Sequence, residues 1–225
     1  MGRILCMSNI DRQVVMMEKA RQQLVEEEYL SEESSVLFLN DSLVWGPEWE
    51  KKFAGSDIVL FSWMGMGRDT RFLKEAVEFL RKNKLRHAML ATEVQPEDAL
   101  GGVTPEERDT IRRYLSYSGL GNYRNLWLWL NNRYCRQSYE CQPPCELAWN
   151  GIFHPRADRF FTNIEEYRQL FCKPGQGTIG IVFPRDEWIW SDLAYQSELV
   201  AAIEAQGFNV IAVFSHWARN AELNA

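Results

Sequence analysis

The sequence has no membrane span, no basic face and none of the common nucleotide or hydrolase motifs. No run of apolar residues approaches the ~20 needed to cross a bilayer. The apolar stretch from Ile4 to Ile10 is too short for a secretory leader, and acidic helical sequence follows it instead of a cleavage site. Basic residues do not dominate: 25 Lys and Arg stand against 31 Asp and Glu, a net charge of −6. Nucleic-acid binding needs a concentrated basic surface to displace counterions, so this balance argues against a nucleic-acid partner. Gly-x-Ser-x-Gly elbow, Walker loop and His-Glu-x-x-His helix are all missing, as are short-period repeats and low-complexity segments. The five cysteines (Cys6, Cys135, Cys141, Cys145 and Cys172) are odd in number. They suit a reducing cytosol better than a disulfide framework, and the expected location is cytoplasmic.

What is present is an α/β pattern. Ile4–Met7, Val36–Leu39, Ile58–Trp63 and Ala88–Ala91 are continuous apolar runs, as expected of strands buried on both faces of a parallel sheet. Helices are predicted between them. Asp11–Glu28 carries a wide apolar stripe through Val14, Met17 and Leu24, and Arg71–Arg81 aligns Phe72, Leu73, Ala76, Val77 and Leu80, with Asp69 or Thr70 as N-cap. This alternation implies a doubly wound parallel sheet with right-handed crossovers. Thr104-Pro105-Glu106-Glu107 is a capping box that opens a further helix, which Gly119 and Gly121 should end. A helix over about Asn122–Tyr134 is apolar nearly all round and should be sandwiched. Residues 135–155 read as an irregular connection, with a short helix over Asn163–Phe171.

Lys173-Pro174-Gly175-Gln176-Gly177 is the strongest linker signal. A new βαβ unit should follow it: strand Ile179–Phe183, helix Ser191–Gln206, Gly207 at the helix C′ position, and strand Val210–Phe214. The expected organisation is an α/β open-sheet domain over residues 1–100, a helical and irregular segment packed on it over 101–172, and the start of a second, incomplete α/β domain over 173–225. Two strands and one helix would leave one face of that second sheet uncovered.

Candidate sites are few. Gly65-Met66-Gly67 follows a predicted strand and precedes a helix, but the third glycine of a dinucleotide fingerprint is replaced by Thr70. A tight turn at the carboxyl edge of the sheet is favoured over nucleotide binding, and a ligand contact by Gly65 and Gly67 stays open. Cys135, Cys141 and Cys145, with His154 and Cys172 downstream, could be drawn as a metal site. Their spacing is not that of a zinc knuckle, and small buried hydrophobes are the commoner reading. His154 lies in a connection, where it could ligate metal, meet a carboxylate, or simply bond backbone and fix the turn before Pro155. Arg185 follows the carboxyl end of a strand, where open sheets bind ligands. His154 and Arg185 are expected to face a cleft between the two α/β units.

Four blocks between about Tyr114 and Phe214 resemble the large subunit of cobaltochelatase (the CobN type) and the H subunit of magnesium chelatase. They are Gly119–Leu130, Trp149-Asn150-Gly151-Ile152-Phe153-His154-Pro155, Thr178–Arg185, and Leu199–Phe214. The first hundred residues fit that family's opening α/β domain loosely, and the cysteine-rich stretch Cys135–Cys145 departs from its pattern. The resemblance implies a subunit that holds a tetrapyrrole while separate AAA+ subunits hydrolyse ATP. Co2+ or Mg2+ would be a substrate, and no cofactor is expected on this chain itself. Insertion would need carboxylate or imidazole groups to take two N–H protons and to ligate the metal transiently. Those groups lie in family regions beyond this sequence, so no catalytic residue is implied and the chain alone should be inactive. A standalone ligand-binding or regulatory module derived from that subunit is the alternative.

Overall fold

A computed structural model describes residues 2–40, 42–62, 71–90 and 100–216. The chain divides into two compact units, Met1–Cys145 and Glu146–Ala225.

The first unit begins with β1 (Ile4–Ser8), α1 (Asp11–Glu26), β2 (Ser35–Phe38), α2 (Pro47–Ala54), β3 (Ile58–Ser62), α3 (Arg71–Lys82) and β4 (His87–Met89). A two-residue strand, β5 (Leu100–Gly101), then α4 (Pro105–Tyr117) and α5 (Leu120–Tyr134) follow. The sheet order is β2-β1-β3-β4-β5, with β1 to β4 parallel and β5 antiparallel to β4. Right-handed crossovers in that order put α1 on one face and α2 and α3 on the other. All five residues of β1 are buried, which is why its sequence is continuously apolar. Against the α2–α3 face, Leu5, Met7, Val59 and Phe61 pack with Phe53, Phe72, Ala76 and Leu80.

The capping box forms as expected. The Thr104 hydroxyl accepts from the Glu107 amide (3.2 Å) and the Thr104 amide donates to Glu107 Oε2 (2.8 Å). Glu107 also accepts from Arg133 and from the Tyr134 hydroxyl, so one carboxylate ties α4 to α5. The chain turns between these helices at Ser118 and Gly119, both at positive φ, and Gly121 lies inside α5 rather than at the end of α4. Sandwiching of α5 is observed: Trp127 is fully buried and its indole N–H donates to the Met17 carbonyl of α1 (3.1 Å).

Residues 139–145 are an ordered strap and not a free connection. Asn132 bonds both the N–H and the C=O of Tyr139 (2.7 Å each), and Asn122 does the same for Cys145 (2.9 and 2.8 Å). Between them, Asn125 accepts from the Gln142 amide and the Tyr114 hydroxyl donates to the Gln142 carbonyl. The anchored residues recur every third position, the period of an extended polyproline-type chain, which suits Pro143-Pro144 within it.

The second unit contains β6 (Asn150–Phe153), α6 (Ile164–Phe171), β7 (Thr178–Pro184), α7 (Arg185–Ile189), α8 (Ala194–Ala205) and β8 (Asn209–Ser215). Its sheet runs β6-β8-β7, with β7 and β8 parallel and β6 antiparallel to β8. The sequence signal at Lys173–Gly177 therefore marks a loop inside this unit, and the division falls after Cys145. The third strand comes from residues that read as irregular. Asn209 clamps the loop: its side chain accepts from the Lys173 amide (2.8 Å) and donates to the carbonyls of Lys173 (3.0 Å) and Gln176 (3.3 Å). The sheet face carrying Phe183, Ala212 and Phe214 is covered by α8 and Trp188. On the opposite face, Ile152, Ile211 and Val213 pack with Phe161 and the α6 residues Tyr167 and Phe171. Both faces are thus covered over β6 and β8, and cover is thin over β7. The helix expected over Ser191–Gln206 is observed as α8 from Ala194 to Ala205; the short α7 precedes it as an extra helix, and Ser191, at a positive φ of 55°, lies in the turn between them. Gly207 takes the left-handed C′ conformation (φ 83°) as expected.

Candidate functional site

The residues of the second unit singled out in the sequence belong to two separate clusters. His154 follows β6 and is 1% exposed. Its Nδ1 accepts from the Arg156 amide (3.2 Å), which leaves the proton on Nε2 to donate to Glu204 Oε1 (3.2 Å). Arg156 Nη2 donates to the same carboxylate oxygen (3.1 Å). Phe171 stacks on the imidazole at 3.9 Å between ring centroids, 16° from parallel. Burial is the main force lowering the His154 pKa, and Glu204 opposes it. Both imidazole nitrogens are thus engaged within the protein, Nδ1 with the Arg156 amide and Nε2 with Glu204. The His154 carbonyl also accepts from the Ala157 amide (3.0 Å), closing the turn around Pro155.

Arg185 follows β7 and is 5% exposed. Its Nε and Nη2 donate to the carbonyls of Ala148 (2.7 Å) and Leu147 (2.8 Å), and its guanidinium lies 4.3 Å from the ring centre of Trp149. Burial lowers its pKa from the usual guanidinium value. The register separates these two side chains. Asn150 lies opposite Ser215 and Phe153 opposite Ala212, so His154 lies further along the sheet, away from the end where Arg185 pins Leu147 and Ala148. Five residue steps, about 17 Å along a strand, lie between those levels. His154 and Arg185 do not share a site.

The cysteines are also dispersed. Cys135 at the end of α5 faces Asp57 (3.7 Å), and burial with that carboxylate pushes its thiol up to about 12. Cys141 accepts from Asn132, and Cys145 is held by its backbone to Asn122. Among the described residues, no three His, Cys, Asp or Glu side chains stand close enough together to hold a metal ion. Gly65 and Gly67 lie outside the described residues, as do Trp63, Asp69, Thr70 and Ala91.

An open cleft of about 490 Å³ lies in the first unit between α5 and the strap. Tyr29, Leu128 and Tyr139 wall it, with Arg124 and Glu140 among its polar residues. The rings of Tyr29 and Tyr139 meet edge to face at 5.1 Å, and Glu27 holds the Arg124 guanidinium with both carboxylate oxygens. Nothing in the sequence marked this cleft, because its walls come from three distant segments.

The blocks singled out in the sequence mostly perform architectural work. Gly151 is required because a Cβ there would stand 2.7 Å from ring atoms of Phe160 and Phe214. Asn122 holds the strap, Arg185 holds residues 147–148, and Asn209 clamps the Lys173 loop. Comparison with known proteins covers this same part of the chain. The sequence model of the CobN/Magnesium Chelatase family matches residues 112–224, half of the chain. This chain belongs to that family. An uncharacterized protein of Methanocaldococcus jannaschii is 30% identical over 122 residues, which cover 52% of this chain and 10% of that relative. The chain therefore spans about a tenth of the curated relative's length. The catalytic subunit of cobaltochelatase from Mycobacterium tuberculosis superposes with a TM-score of 0.61 at 15% identity, covering 95% of this chain and 16% of that one. At that identity the likeness establishes the fold, and it takes in the first unit as well as the matched half. In this CobN/magnesium chelatase chain, the matched range takes in Asn122, which braces the strap of the first unit, and Arg185 and Asn209, which brace loops within the second. Asn132 was not singled out in the sequence, and Glu204 and Asn209 stood there only as members of the block Leu199–Phe214, with no role assigned to either. The available signal was four asparagines on one helix, at 122, 125, 131 and 132, since asparagine disfavours helix interiors and favours bonds to neighbouring backbone.

Proposed function

We propose that this chain is the N-terminal part of the tetrapyrrole-binding large subunit of an ATP-dependent metal chelatase, with cobalt insertion into a corrin precursor of cobalamin as its process. The observation that carries this reading is the family match over 112–224, on a chain whose whole fold resembles a cobaltochelatase catalytic subunit. In this role the chain is a scaffold. The imidazole of His154 and the guanidinium of Arg185 are committed to internal hydrogen bonds, and in this reading proton removal and metal ligation fall to groups outside the chain. AAA+ ATPase subunits are the proposed partners, and metal ion and macrocycle are substrates.

Two measurements test this. The isolated chain, given ATP, Co2+ and a free-base corrin, should turn over no ATP above a vector control and leave the macrocycle's absorption spectrum unchanged. ATP turnover, or cobalt insertion without a longer partner chain, would overturn the scaffold role. Free-base macrocycle should quench tryptophan fluorescence saturably. A flat titration would instead favour a regulatory module that no longer meets the macrocycle.

A further inference from the structure

β7 has an exposed edge unlike the others described. β2 has four residues and β5 has two. β6 has four and is bridged by Phe161, whose backbone exchanges two hydrogen bonds with Ile152 (2.8 and 2.9 Å). β7 runs for seven residues and pairs only through β8 among the described residues. Ile179 is 37% and Val182 51% exposed, and Gly180 has open space where a Cβ would stand. From Pro174 to Pro184 there is no charged residue. Natural edge strands are normally shortened, charged or covered, because unpaired N–H and C=O groups recruit another strand. Among the described residues, β7 is neither short, charged nor covered along its free edge, and its one protective residue is Pro184 at the carboxyl end.

The charges at its ends suit one occupant. Exposed Lys173 lies before the strand and exposed Asp186 after it. Antiparallel pairing of β7 with itself brings the basic end of one strand towards the acidic end of the other. With the two-fold axis at Ile181, Val182 of each copy faces Gly180 of the other, so the exposed branched side chain meets the open position.

We propose that β7 is a self-association edge, along which two copies of this chain pair antiparallel over Ile179–Phe183. The contact is one strand wide and falls below the ~1,200 Å² typical of stable complexes, so the dimer is weak and forms at high concentration.

Sedimentation equilibrium of the full chain from about 5 µM to about 1 mM spans the range expected for so small an interface. The apparent mass should climb from 26.3 kDa towards twice that value. Val182→Lys should weaken association at least about tenfold, since it sets a charge on the pairing edge. Val44→Lys, at a site 80% exposed in the other unit, should leave association unchanged. Both positions are exposed, and matching far-UV circular dichroism verifies that each variant folds. A single-chain mass at every concentration overturns the proposal, as does equal association of the two lysine variants.

Discussion

The two units use the same β-α-β logic with different degrees of cover. In the first, β1 and β3 are central strands with helices on both faces, and every residue of β1 is buried. In the second, β7 is an edge strand with only Phe183 fully buried among its seven residues. A strand's place in its sheet, more than its composition, sets what its side chains contribute. Ile179 and Val182 are as apolar as Ile4 and Val59, yet they remove far less surface from water.

The sharpest break between the units should come from equivalent truncations. Phe61→Ala, in the core of the first sheet, should cost about 3–5 kcal/mol, because it removes a fully buried ring and leaves a cavity. Val182→Ala on β7 should stay within about 0.5 kcal/mol. Denaturant unfolding measures both, and similar losses would mean β7 is as well covered as β3.

A smaller effect is confined to the second unit. Asn209→Ala removes the three bonds that clamp the Lys173 loop and should cost about 2 kcal/mol. Hydrogen exchange should show protection falling in β7 and β8 while β1 and β3 keep theirs. Uniform loss across both sheets would show that the units unfold together.

Arg185→Lys preserves charge but replaces a planar fork with a single ammonium. It should cost about 1–2 kcal/mol by giving up one carbonyl and the Trp149 contact. Unchanged stability would assign Arg185 to something other than holding residues 147–148.

The smallest expected effect is pH-dependent, and it involves one deeply buried histidine of each unit. His87 and His154 are both held below the ordinary histidine value, chiefly by burial. The unfolded chain therefore takes up protons first as pH falls. Their contribution to stability is full above about 6.5 and declines as pH drops from there towards the folded-state values. His154→Gln keeps a donor for Glu204 and removes the titration. Its melting temperature should fall less steeply than the parent's between about pH 7 and pH 5. An unaltered slope would leave His87 as the source.

Legibility in the sequence followed the range of the interaction. The first sheet was readable because continuous apolar runs and amphipathic stripes report burial within a few residues of themselves. The capping box and Gly207 were readable for the same reason, since a helix end is decided by three or four neighbours. β6 was missed because Asn150–Phe153 is short and paired with residues some sixty positions later, as the Asn150–Ser215 pair shows. The Lys173 loop carried every local mark of a domain linker. Its clamp, Asn209, lies 36 positions away.

By itself the sequence determined the α/β class, the parallel character of the first sheet, the helix start at Thr104, the helix stop at Gly207 and the chelatase resemblance, because each is written in local pattern or ordered motifs. Tertiary structure decided where the chain divides, which strand completes the second sheet, and that His154 and Arg185 occupy opposite ends of it. Those outcomes depend on backbone pairing and side-chain clamps between distant residues, and a hydrogen bond from Asn209 to Lys173 leaves no trace in the spacing of either.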